Sequence, residues 1–321
     1  MTPQFIISVD LGGTKILSAL INSNNEIVSR VKISTDMEKG NEYLVKSIAG
    51  CVKRLLEENK LIEKDLKSVC LGVPGTVNPF TGIIGSAPNL GITNFNIKEA
   101  LAKETTIPIL IENDVNLAGL GIKKFELGLD VKNMLVVFIG TGIGGALFFD
   151  GKLYRGSSFF AGEIGHIIVE PKGEFSTFSN RTTFELTASR TAIVRDLKRG
   201  LNKGKKSILK EYESPKKQLK SKALAEAVKK EDQLATKIVG RAATTIGTVL
   251  GSLTTLLNID TIVLGGGVIE AMHEFMIPRI KKAFKESVLK EPGEFVKIFE
   301  TKLGDDAALY GGVALTEEFL K

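Results

Sequence analysis

A strand that ends in a glycine-rich turn occurs twice in this chain, and this repeat constrains the fold more than any other feature of the sequence. Apolar runs at 5–9 and 16–21 are joined by Asp-Leu-Gly-Gly-Thr-Lys, and runs at 134–139 and 145–149 flank a second glycine cluster. Short apolar runs separated by turn residues are typical of antiparallel strands. We therefore predict two sheets, each opening with a glycine hairpin.

Beyond each hairpin, helical and strand patterns alternate. The predicted helices span 41–58, 97–104 and 223–257, the last broken near 230–232, and the further strands span 27–33, 68–73, 107–111 and 261–264. The Pro-, Gly- and Asn-rich stretch 74–89 is predicted to be a loop. Helices that alternate with short buried strands indicate an α/β protein with crossover helices. Because the layout repeats, we predict two lobes.

Length and composition agree with two domains and exclude several classes of protein. At roughly 150 residues per domain, 321 residues predict about two domains, and without a Ser- or Pro-rich linker the boundary is expected to be a tight hinge within 115–130. The apolar runs are shorter than the about 20 residues that cross a bilayer. The N-terminus lacks the basic segment of a secretory signal, and two cysteines provide no disulfide framework. We therefore expect a reduced, cytoplasmic protein without a membrane segment.

The net charge of +6 comes from one stretch of the sequence. Between Arg195 and Lys230 there are 13 basic and four acidic residues, so the rest of the chain is net acidic. This stretch contains one aromatic residue, Tyr212, whereas sites for single-stranded nucleic acid combine basic and aromatic side chains. A lysine-rich run of this kind is more typical of a solvated helix face. No nucleic-acid partner is predicted.

Three glycine clusters are candidates for phosphate binding. They are Gly12-Gly13-Thr14-Lys15, Gly140-Thr141-Gly142-Ile143-Gly144-Gly145 and Gly265-Gly266-Gly267. Glycine lets backbone N–H groups approach a phosphate because no Cβ intervenes. The second cluster matches G-x-G-x-x-G but precedes a strand, so it is not a dinucleotide fingerprint, and the first lacks the upstream glycine of a Walker A loop. One such cluster is more often a plain turn, but three that each end an apolar strand are able to cradle a nucleotide triphosphate.

Polar side chains near these turns are candidates for catalysis and ligand binding. Asp114 follows a predicted strand, where it is either a helix N-cap or a general base for phosphoryl transfer, and the residues alone leave both readings open. A lone histidine such as His166 is more often structural. Together with Glu163 and Glu185, however, it offers hydrogen bonds to a polyhydroxylated ligand, and so does Asn89.

Five motifs in a fixed order carry a resemblance to a known family. They are Asp10-Leu-Gly-Gly-Thr-Lys15, Glu112-Asn-Asp-Val-Asn116, Gly140-Thr-Gly-Ile-Gly-Gly145, Gly162-Glu-Ile-Gly-His166 and Leu264-Gly-Gly-Gly-Val268. With these spacings the chain resembles the ROK family of sugar kinases, repressors and uncharacterised open reading frames, over essentially its whole length. The resemblance implies the family's α/β fold, the two-lobed, ribonuclease H-like ATPase fold of actin, hexokinase and Hsp70. The smaller lobe would comprise 1–118 plus 303–321 and the larger one 119–302, with nucleotide and sugar in the cleft between them.

The resemblance also implies roles position by position. Asp114 would be the base that deprotonates a sugar hydroxyl, commonly the 6-hydroxyl, and Asp10 would lie near Mg²⁺ and bind it through water. The residues that would hold the sugar are Gly75, Asn89, Asn113, Asp114, Glu163, His166 and Glu185. Those that would bind ATP are Asp10, Gly12, Gly13, Thr14 and Lys15 in the first loop, Gly140, Thr141 and Gly142 in the second, and Gly265, Gly266 and Gly267 beside adenosine.

One segment departs from the family pattern. Members typically continue after the Gly-His pair with C-x-C-x-x-x-x-C, which binds a structural Zn²⁺, whereas the matching positions here are Ser176, Phe178 and Thr183. A hydroxyl or a phenyl ring cannot replace a thiolate in a tetrahedral zinc site. We therefore predict no zinc, and expect Phe175, Phe178 and Phe184 to fill this region by apolar packing.

These observations favour one function and leave an alternative. The favoured one is ATP-dependent phosphorylation of a hexose, glucose or a related sugar, by a homodimer whose cofactors are ATP and Mg²⁺. The alternative is a non-catalytic sugar sensor, because the family includes repressors. A predicted first strand at residue 5 leaves no room for an N-terminal helix-turn-helix, so a sensor would need a protein partner. An ATPase of the actin or Hsp70 type is disfavoured by Glu163, His166 and Glu185.

Overall fold

The computed structural model describes residues 4–128, 130–170, 182–214 and 217–320. Within these residues the chain forms two compact units. Unit 1 lies within Met1–Val131, Lys152–Ala161 and Asp305–Lys321, and unit 2 lies within Lys132–Gly151 and Gly162–Gly304. The first boundary therefore follows Val131, later in the chain than the predicted position at 118, and the short segment Lys152–Ala161 is grouped with unit 1.

Strands and helices alternate along the described chain as the sequence predicts. The strands are β1 (Phe5–Leu11), β2 (Lys15–Ile21), β3 (Ile27–Ser34), β4 (Leu66–Val73), β5 (Thr76–Val77), β6 (Ile83–Ala87), β7 (Ile92–Asn96), β8 (Ile109–Asn113), β9 (Met134–Ile139), β10 (Ile143–Phe149), β11 (Lys152–Tyr154), β12 (Ile168–Glu170), β13 (Thr182–Thr183), β14 (Thr261–Gly265) and β15 (Lys297–Glu300). The α-helices are α1 (Gly40–Glu58), α2 (Ile97–Leu101), α3 (Asp114–Ile122), α4 (Phe184–Ala188), α5 (Arg190–Asn202), α6 (Ser221–Lys229), α7 (Gln233–Leu257), α8 (Gly267–Ser287), α9 (Lys290–Phe295) and α10 (Asp306–Phe319).

Two mixed sheets with the same plan are present in the described chain. The first has the strand order β3-β2-β1-β4-β8, and the second has the order β11-β10-β9-β14-β15. In the first, β1 pairs antiparallel with β2 and parallel with β4, and in the second, β9 pairs antiparallel with β10 and parallel with β14. Each sheet therefore opens with a hairpin and continues through crossover connections, which confirms the α/β prediction.

A small antiparallel sheet, β5-β6-β7, begins in the stretch 74–89 that was predicted to be a loop, which contains β5 and β6 and is followed by β7. Its strands are two to five residues long. They are separated by Gly82 and Gly91, which have φ values of +78° and +63°. Strands this short do not show enough alternation for the pattern to be recognised. The prediction of a loop over 74–89 was wrong for this reason.

Each unit has its own apolar core. Val9, Ile48 and Leu71 are fully buried in unit 1, and Val137 and Ile246 are fully buried in unit 2. The apolar periodicities of α1 and α7 face these cores, which is why the helical pattern was visible in the sequence. In the described residues, no helix has the length and apolarity needed to cross a membrane.

Glycines bring α10 against α3 and β1 in unit 1. A Cβ on Gly121 would lie 2.1 Å from the Ala307 carbonyl oxygen, and one on Gly311 would lie 1.8 Å from that of Leu117. The two helices therefore pack backbone against backbone at positions where only glycine fits. This contact holds the C-terminal helix beside the strands that carry the site of unit 1.

Candidate active site

The first glycine turn connects β1 to β2 and presents its backbone to solvent. The Gly12 N–H donates to the Lys15 carbonyl oxygen over 2.9 Å, which closes the turn. Gly13 and Thr14 at its tip are exposed. A Cβ on Gly13 would lie 3.2 Å from the carbonyl oxygen of Asn89, so the turn packs closely on a residue expected to bind sugar. The structure thus brings a predicted phosphate loop and a predicted sugar-binding residue together.

Three carboxylates interact electrostatically beside this turn. They belong to Asp10 in β1, Asp114 in α3 and Asp305 before α10. Burial of the carboxyl raises the pKa of Asp10 to about 7, and the negative charge of Asp114 is the next largest cause. Asp305 also raises this pKa slightly, whereas the positive charge of Lys15 lowers it. Lys15 also forms an ion pair with Asp305. Because ionised Asp10 is disfavoured here, the cluster is suited to bind a cation.

Replacing Asp10 with asparagine is expected to stabilise the ligand-free protein at pH 8. The pKa of this carboxyl is raised in the folded state, so its ionisation lowers stability as pH rises from about 4 through about 7. The asparagine amide carries no charge, and we expect the Asp10→Asn variant to exceed wild type by about 2 kcal/mol in free energy of unfolding at pH 8. Below pH 4 the two should be nearly equal. Urea unfolding with EDTA present measures both differences.

The control for this experiment is Asp36→Asn, which removes a carboxylate of unit 1 that pairs with Lys39 outside the cluster. We expect it to give no comparable gain at pH 8. An equal Asp10→Asn effect at both pH values would show that packing rather than ionisation causes the change.

The structure shows that Asp114 is not the N-cap of α3. Asn113 is the N-cap of α3, and its Oδ1 accepts hydrogen bonds from the N–H groups of Val115 (2.9 Å) and Asn116 (3.0 Å). Asp114 occupies the first helical position, with its Oδ1 2.9 Å from the Val115 nitrogen. The cap is therefore complete without Asp114, whose carboxylate lies beside Asp10.

Asn113 also ties the small sheet to this helix. Its Nδ2 donates to the Gly75 carbonyl oxygen over 2.9 Å. Gly75 has a φ of +86°, and a Cβ there would lie 2.2 Å from the Ser86 carbonyl oxygen, so glycine is required. Gly75, Asn89 and Asn113 thus lie in a connected part of unit 1. Because glycine has no side chain, Gly75 can offer a sugar only its backbone groups.

A buried glutamate fixes the start of α3. Glu112 is 1% exposed, and its Oε1 accepts hydrogen bonds from the Asn113 N–H (3.0 Å) and the Asn116 Nδ2 (3.1 Å). Its Oε2 accepts from Arg155 Nε over 2.6 Å, and Arg155 also donates twice to Glu318, over 2.8 and 3.2 Å. This network holds the backbone that carries Asp114.

The second glycine turn connects β9 to β10 in unit 2. A backbone hydrogen bond closes the turn, and side chains from α4 and α5 bind to it. The Gly140 N–H donates to the Gly142 carbonyl oxygen (2.9 Å), and the Arg190 side chain donates to Thr141 Oγ1 (2.6 Å). Glu185 Oε2 accepts from the Ile143 N–H over 2.8 Å. Glu185 was expected to hold sugar, and the structure shows that one of its oxygens supports the phosphate turn.

Gly142→Ala is expected to destabilise unit 2 by about 2 kcal/mol. The added Cβ would lie 2.2 Å from Glu185 Oε2, so the carboxylate would have to leave the Ile143 N–H. Gly140→Ala is the matched control, since a Cβ there meets nothing within 4 Å and its φ is not positive. Thermal unfolding of both variants tests this, and equal midpoints would contradict the packing argument.

Glu163 and His166 lie in the segment that packs on β10. Their closest charged atoms, Glu163 Oε2 and His166 Nε2, are 3.8 Å apart, and the imidazole is 73% exposed. Burial raises the pKa of Glu163, with a smaller contribution from Glu185 and an opposing one from His166. The three predicted sugar-binding groups of unit 2 therefore form one cluster, with the histidine open to solvent.

The triple glycine begins with Gly265, the last residue of β14, and ends with Gly267, the first residue of α8. Gly266 has a φ of +89°, and a Cβ there would lie 2.7 Å from the Ile139 carbonyl oxygen. A Cβ on Gly265 would lie 2.8 Å from a Thr301 methyl carbon, whereas one on Gly267 meets nothing within 4 Å. Packing alone explains Gly265 and Gly266. At Gly267, by contrast, packing does not require glycine, and there is open space at the N-terminus of α8. The preceding strand, β14, pairs with β9, which leads into the second glycine turn.

The carboxylates of unit 1 suit a magnesium ion that keeps water and phosphate ligands better than a metal ion held by protein side chains alone. Among the described residues, no three His, Cys, Asp or Glu side chains form a group that could hold a metal by themselves. Mg²⁺ commonly uses one or two carboxylates and completes its shell with water and substrate phosphates. Asp10 and its neighbours meet that requirement.

The segment that departs from the zinc pattern is described only at its end. Ser176, Phe175 and Phe178 lie outside the described residues. Thr183 caps α4, where its Oγ1 accepts from the Leu186 N–H over 3.3 Å. Phe184 is fully buried in the core of unit 2. The absence of zinc stays a prediction that metal analysis of purified protein tests.

Three residues near the site were not predicted to act there. Glu112 occurs within a quoted motif but was given no role, and Asp305 and Arg155 were not singled out. The run of acids directly before α10 was the available signal for Asp305. Arg155 and Glu112 are separated by 43 positions, and no local pattern links them.

Comparison with known proteins decides the family. The family model described as "ROK family" matches residues 6–318. The chain belongs to the ROK family. A glucokinase from Halalkalibacterium halodurans is 33% identical to this ROK protein over 319 residues, which cover 99% of this chain and 96% of that one. A xylose repressor from Caldicellulosiruptor bescii is 24% identical over 97% of this chain and 77% of its own length.

A solved relative gives the fold class. The crystal structure of a ROK family glucokinase from Streptomyces griseus, in complex with glucose and AMPPNP, matches with a TM-score of 0.82 at 27% identity and covers 98% of this chain and 99% of that one. This ROK protein therefore has the two-lobed α/β fold of the actin and hexokinase type, as the motifs implied. Its kinship with glucokinases supports activity on a sugar and a nucleotide.

Proposed function

We propose that this ROK protein is an ATP-dependent sugar kinase that phosphorylates a hexose, glucose or a related sugar, at the 6-hydroxyl. The observation that carries the proposal is the placement of Asp114 beside Asp10 and the first glycine turn. A proton acceptor, a carboxylate suited to a cation and an exposed turn are the parts that phosphoryl transfer requires. The complex of the Streptomyces griseus relative with glucose and AMPPNP supports the same pair of substrates.

In this proposal Asp114 accepts the proton of the sugar hydroxyl as its oxygen attacks the γ-phosphorus. The backbone of the two glycine turns and Lys15 bind the phosphate oxygens, on which negative charge is spread. Asp10 would hold Mg²⁺ through water, and the ion would neutralise phosphate charge. Asn89 and Asn113 in unit 1 orient the sugar, as do Glu163, His166 and Glu185 in unit 2. Groups of both units must act on the same substrates, and this is part of the proposal.

The test is ATP consumption by the purified protein with Mg²⁺ and a panel of hexoses and hexosamines, including a control without sugar. We expect turnover that depends on one or a few sugars, and phosphorus–proton NMR of the product is expected to show the phosphate on the 6-oxygen. Turnover that is equal without sugar would contradict the proposal and indicate an ATPase. Chelation by EDTA should abolish the sugar-dependent turnover.

The alternative is a sugar-binding regulator. It is favoured by the similarity to the Caldicellulosiruptor bescii xylose repressor, and by the loss of the cysteines that would fix the segment after His166 in typical family members. Calorimetry separates the two functions. Sugar binding without turnover for any member of the panel would support the regulator. The homodimer and the cytoplasmic location stay predictions, and light scattering of the purified protein tests the first.

A further inference from the structure

A groove between α5 and α7 in unit 2 is a concave feature that the proposed reaction does not use. It has a volume of about 350 Å³, and its floor includes Gly200, Leu234 and Ile238. A Cβ on Gly200 would lie 2.8 Å from a Leu234 methyl carbon, so glycine inside α5 lets the two helices approach closely. Small-molecule sites typically have volumes of about 300–1,000 Å³. The groove is large enough for a compact ligand.

Basic side chains from both helices surround this groove. The charged lining residues are Arg199, Lys203, Lys205, Lys237, Arg241 and one acid, Asp196. The Asp196 carboxylate accepts a hydrogen bond from Arg195 over 2.8 Å and forms an ion pair with Arg241, so its charge is already balanced. In the described part of the chain, Lys203, Lys205 and Lys237 have no ion-pair partner. The groove therefore keeps a net positive charge.

Helix electrostatics explain only part of this arrangement. Arg199 and Lys203 lie at or next to the C-terminal turn of α5, where the helix dipole stabilises cations. Lys237 and Arg241 lie in the N-terminal half of α7, where the dipole gives no such stabilisation. Cations brought together from two helices repel one another unless an anion lies between them. An anionic ligand would remove this repulsion.

The groove is distinct from the second glycine turn. The first residue of α5 is tied to that turn, because the Arg190 N–H donates to the Gly140 carbonyl oxygen over 2.9 Å. Asp196, the lining residue nearest to this end of α5, follows six helical positions later, which corresponds to roughly 9 Å at 1.5 Å per residue, and Gly200 follows at roughly 15 Å. A ligand in the groove would therefore be separate from phosphates bound at the turn.

We propose that this groove binds a small phosphate-bearing anion, either an oligophosphate or a phosphate ester. Arg241 offers a planar guanidinium oriented by Asp196, which suits phosphate oxygens, and the lysines add point charges around it. The apolar floor of Leu234 and Ile238 allows the carbon part of an ester to pack. The basic stretch that begins at Arg195 thereby supplies one wall of a binding site.

The test is isothermal titration of the full-length protein at low ionic strength with three probes: inorganic phosphate, tripolyphosphate and glucose 6-phosphate. The variant is K203A/K237A, which removes one lysine from each wall. The matched control is K281A/K285A, which removes two exposed lysines of α8 in the same unit and changes the net charge equally. Unfolding midpoints establish that both variants fold.

We expect wild type to bind at least one probe at a site whose affinity falls at least about tenfold in K203A/K237A and stays within about twofold in the control, because tenfold corresponds to about 1.4 kcal/mol from two lost contacts. Binding of the probes at the proposed catalytic site should be equal in all three proteins. A preference for tripolyphosphate identifies an oligophosphate ligand, and a preference for glucose 6-phosphate identifies an ester. Equal weakening in both variants would show a general charge effect and overturn the proposal. Unchanged binding by K203A/K237A, or no binding by wild type, would overturn it as well.

Discussion

Replacing Asp114 with asparagine is expected to lower kcat for the proposed sugar phosphorylation by about 10²-fold or more, while the affinity for ATP stays near that of wild type. The amide cannot accept the proton of the attacking hydroxyl, but it keeps the shape of the side chain. The fold is expected to survive, because Asn113 rather than Asp114 caps α3 through its bonds to Val115 and Asn116. Steady-state kinetics with the preferred sugar, together with nucleotide titration, separate the two effects.

The matched control is again Asp36→Asn, which removes a carboxylate of unit 1 outside the cluster. Its kcat should match that of wild type. The pH profile provides a second readout, since loss of the base should remove the acidic limb of kcat against pH. An Asp114→Asn variant with wild-type turnover would exclude Asp114 as the base and leave Asp10 and Asp305 to be tested.

Truncating Arg155 to alanine lowers the free energy of unfolding of unit 1 by about 3 kcal/mol. The Glu112 side chain is 2% exposed and would lose its ionic partner at Oε2, although Asn113 and Asn116 still donate to Oε1. An unpaired charge in a buried position is costly because neither water nor a cation compensates it. Urea unfolding measures the loss, and a fall in kcat without a rise in KM for ATP would show that the start of α3 has moved.

Arg30→Ala is the control for Arg155, because Arg30 pairs with Asp306 in the same unit but both side chains are substantially exposed. We expect a loss within about 1 kcal/mol. The double variant E112Q/R155M removes both charges and should recover part of the stability lost in Arg155→Ala. Equal losses for Arg30→Ala and Arg155→Ala would contradict the argument that the Arg155 pair matters more because Glu112 is buried and the Arg30 pair is exposed.

The strands and turns were predictable because their signals are local. The residues of β1, β2, β9 and β10 form largely apolar runs beside glycines, and such neighbours predict hairpins directly. The helix pattern of α7 is equally local, since one face is buried along its length. The family motifs implied roles for Asp10 and Asp114, and the structure adds that the two carboxylates interact electrostatically.

The support around these residues was not predictable, because it depends on partners distant in the sequence. Arg155 reaches Glu112 across 43 positions and Glu318 across 163. Lys15 pairs with Asp305 at a separation of 290. Gly142 and Glu185 show the same limit, since the turn was recognised from its glycines but its contact with the carboxylate was not. A side chain's identity indicates what it can bind, whereas the tertiary fold decides what it meets.

The contact of α10 with α3 and β1 has a consequence for how the chain is made. About 175 residues separate Val131 from the first residue of α10, and at about 5–20 residues per second the ribosome needs roughly 10–35 s to synthesise them. During this interval the surface around Ser8 and Cys70, to which Ala308 and Gly312 later bind, has no covering helix. Unit 2 can therefore finish folding before unit 1, which reverses the usual N-terminal-first order of biosynthesis. A nascent chain stalled before Asp305 should expose this surface to chaperones.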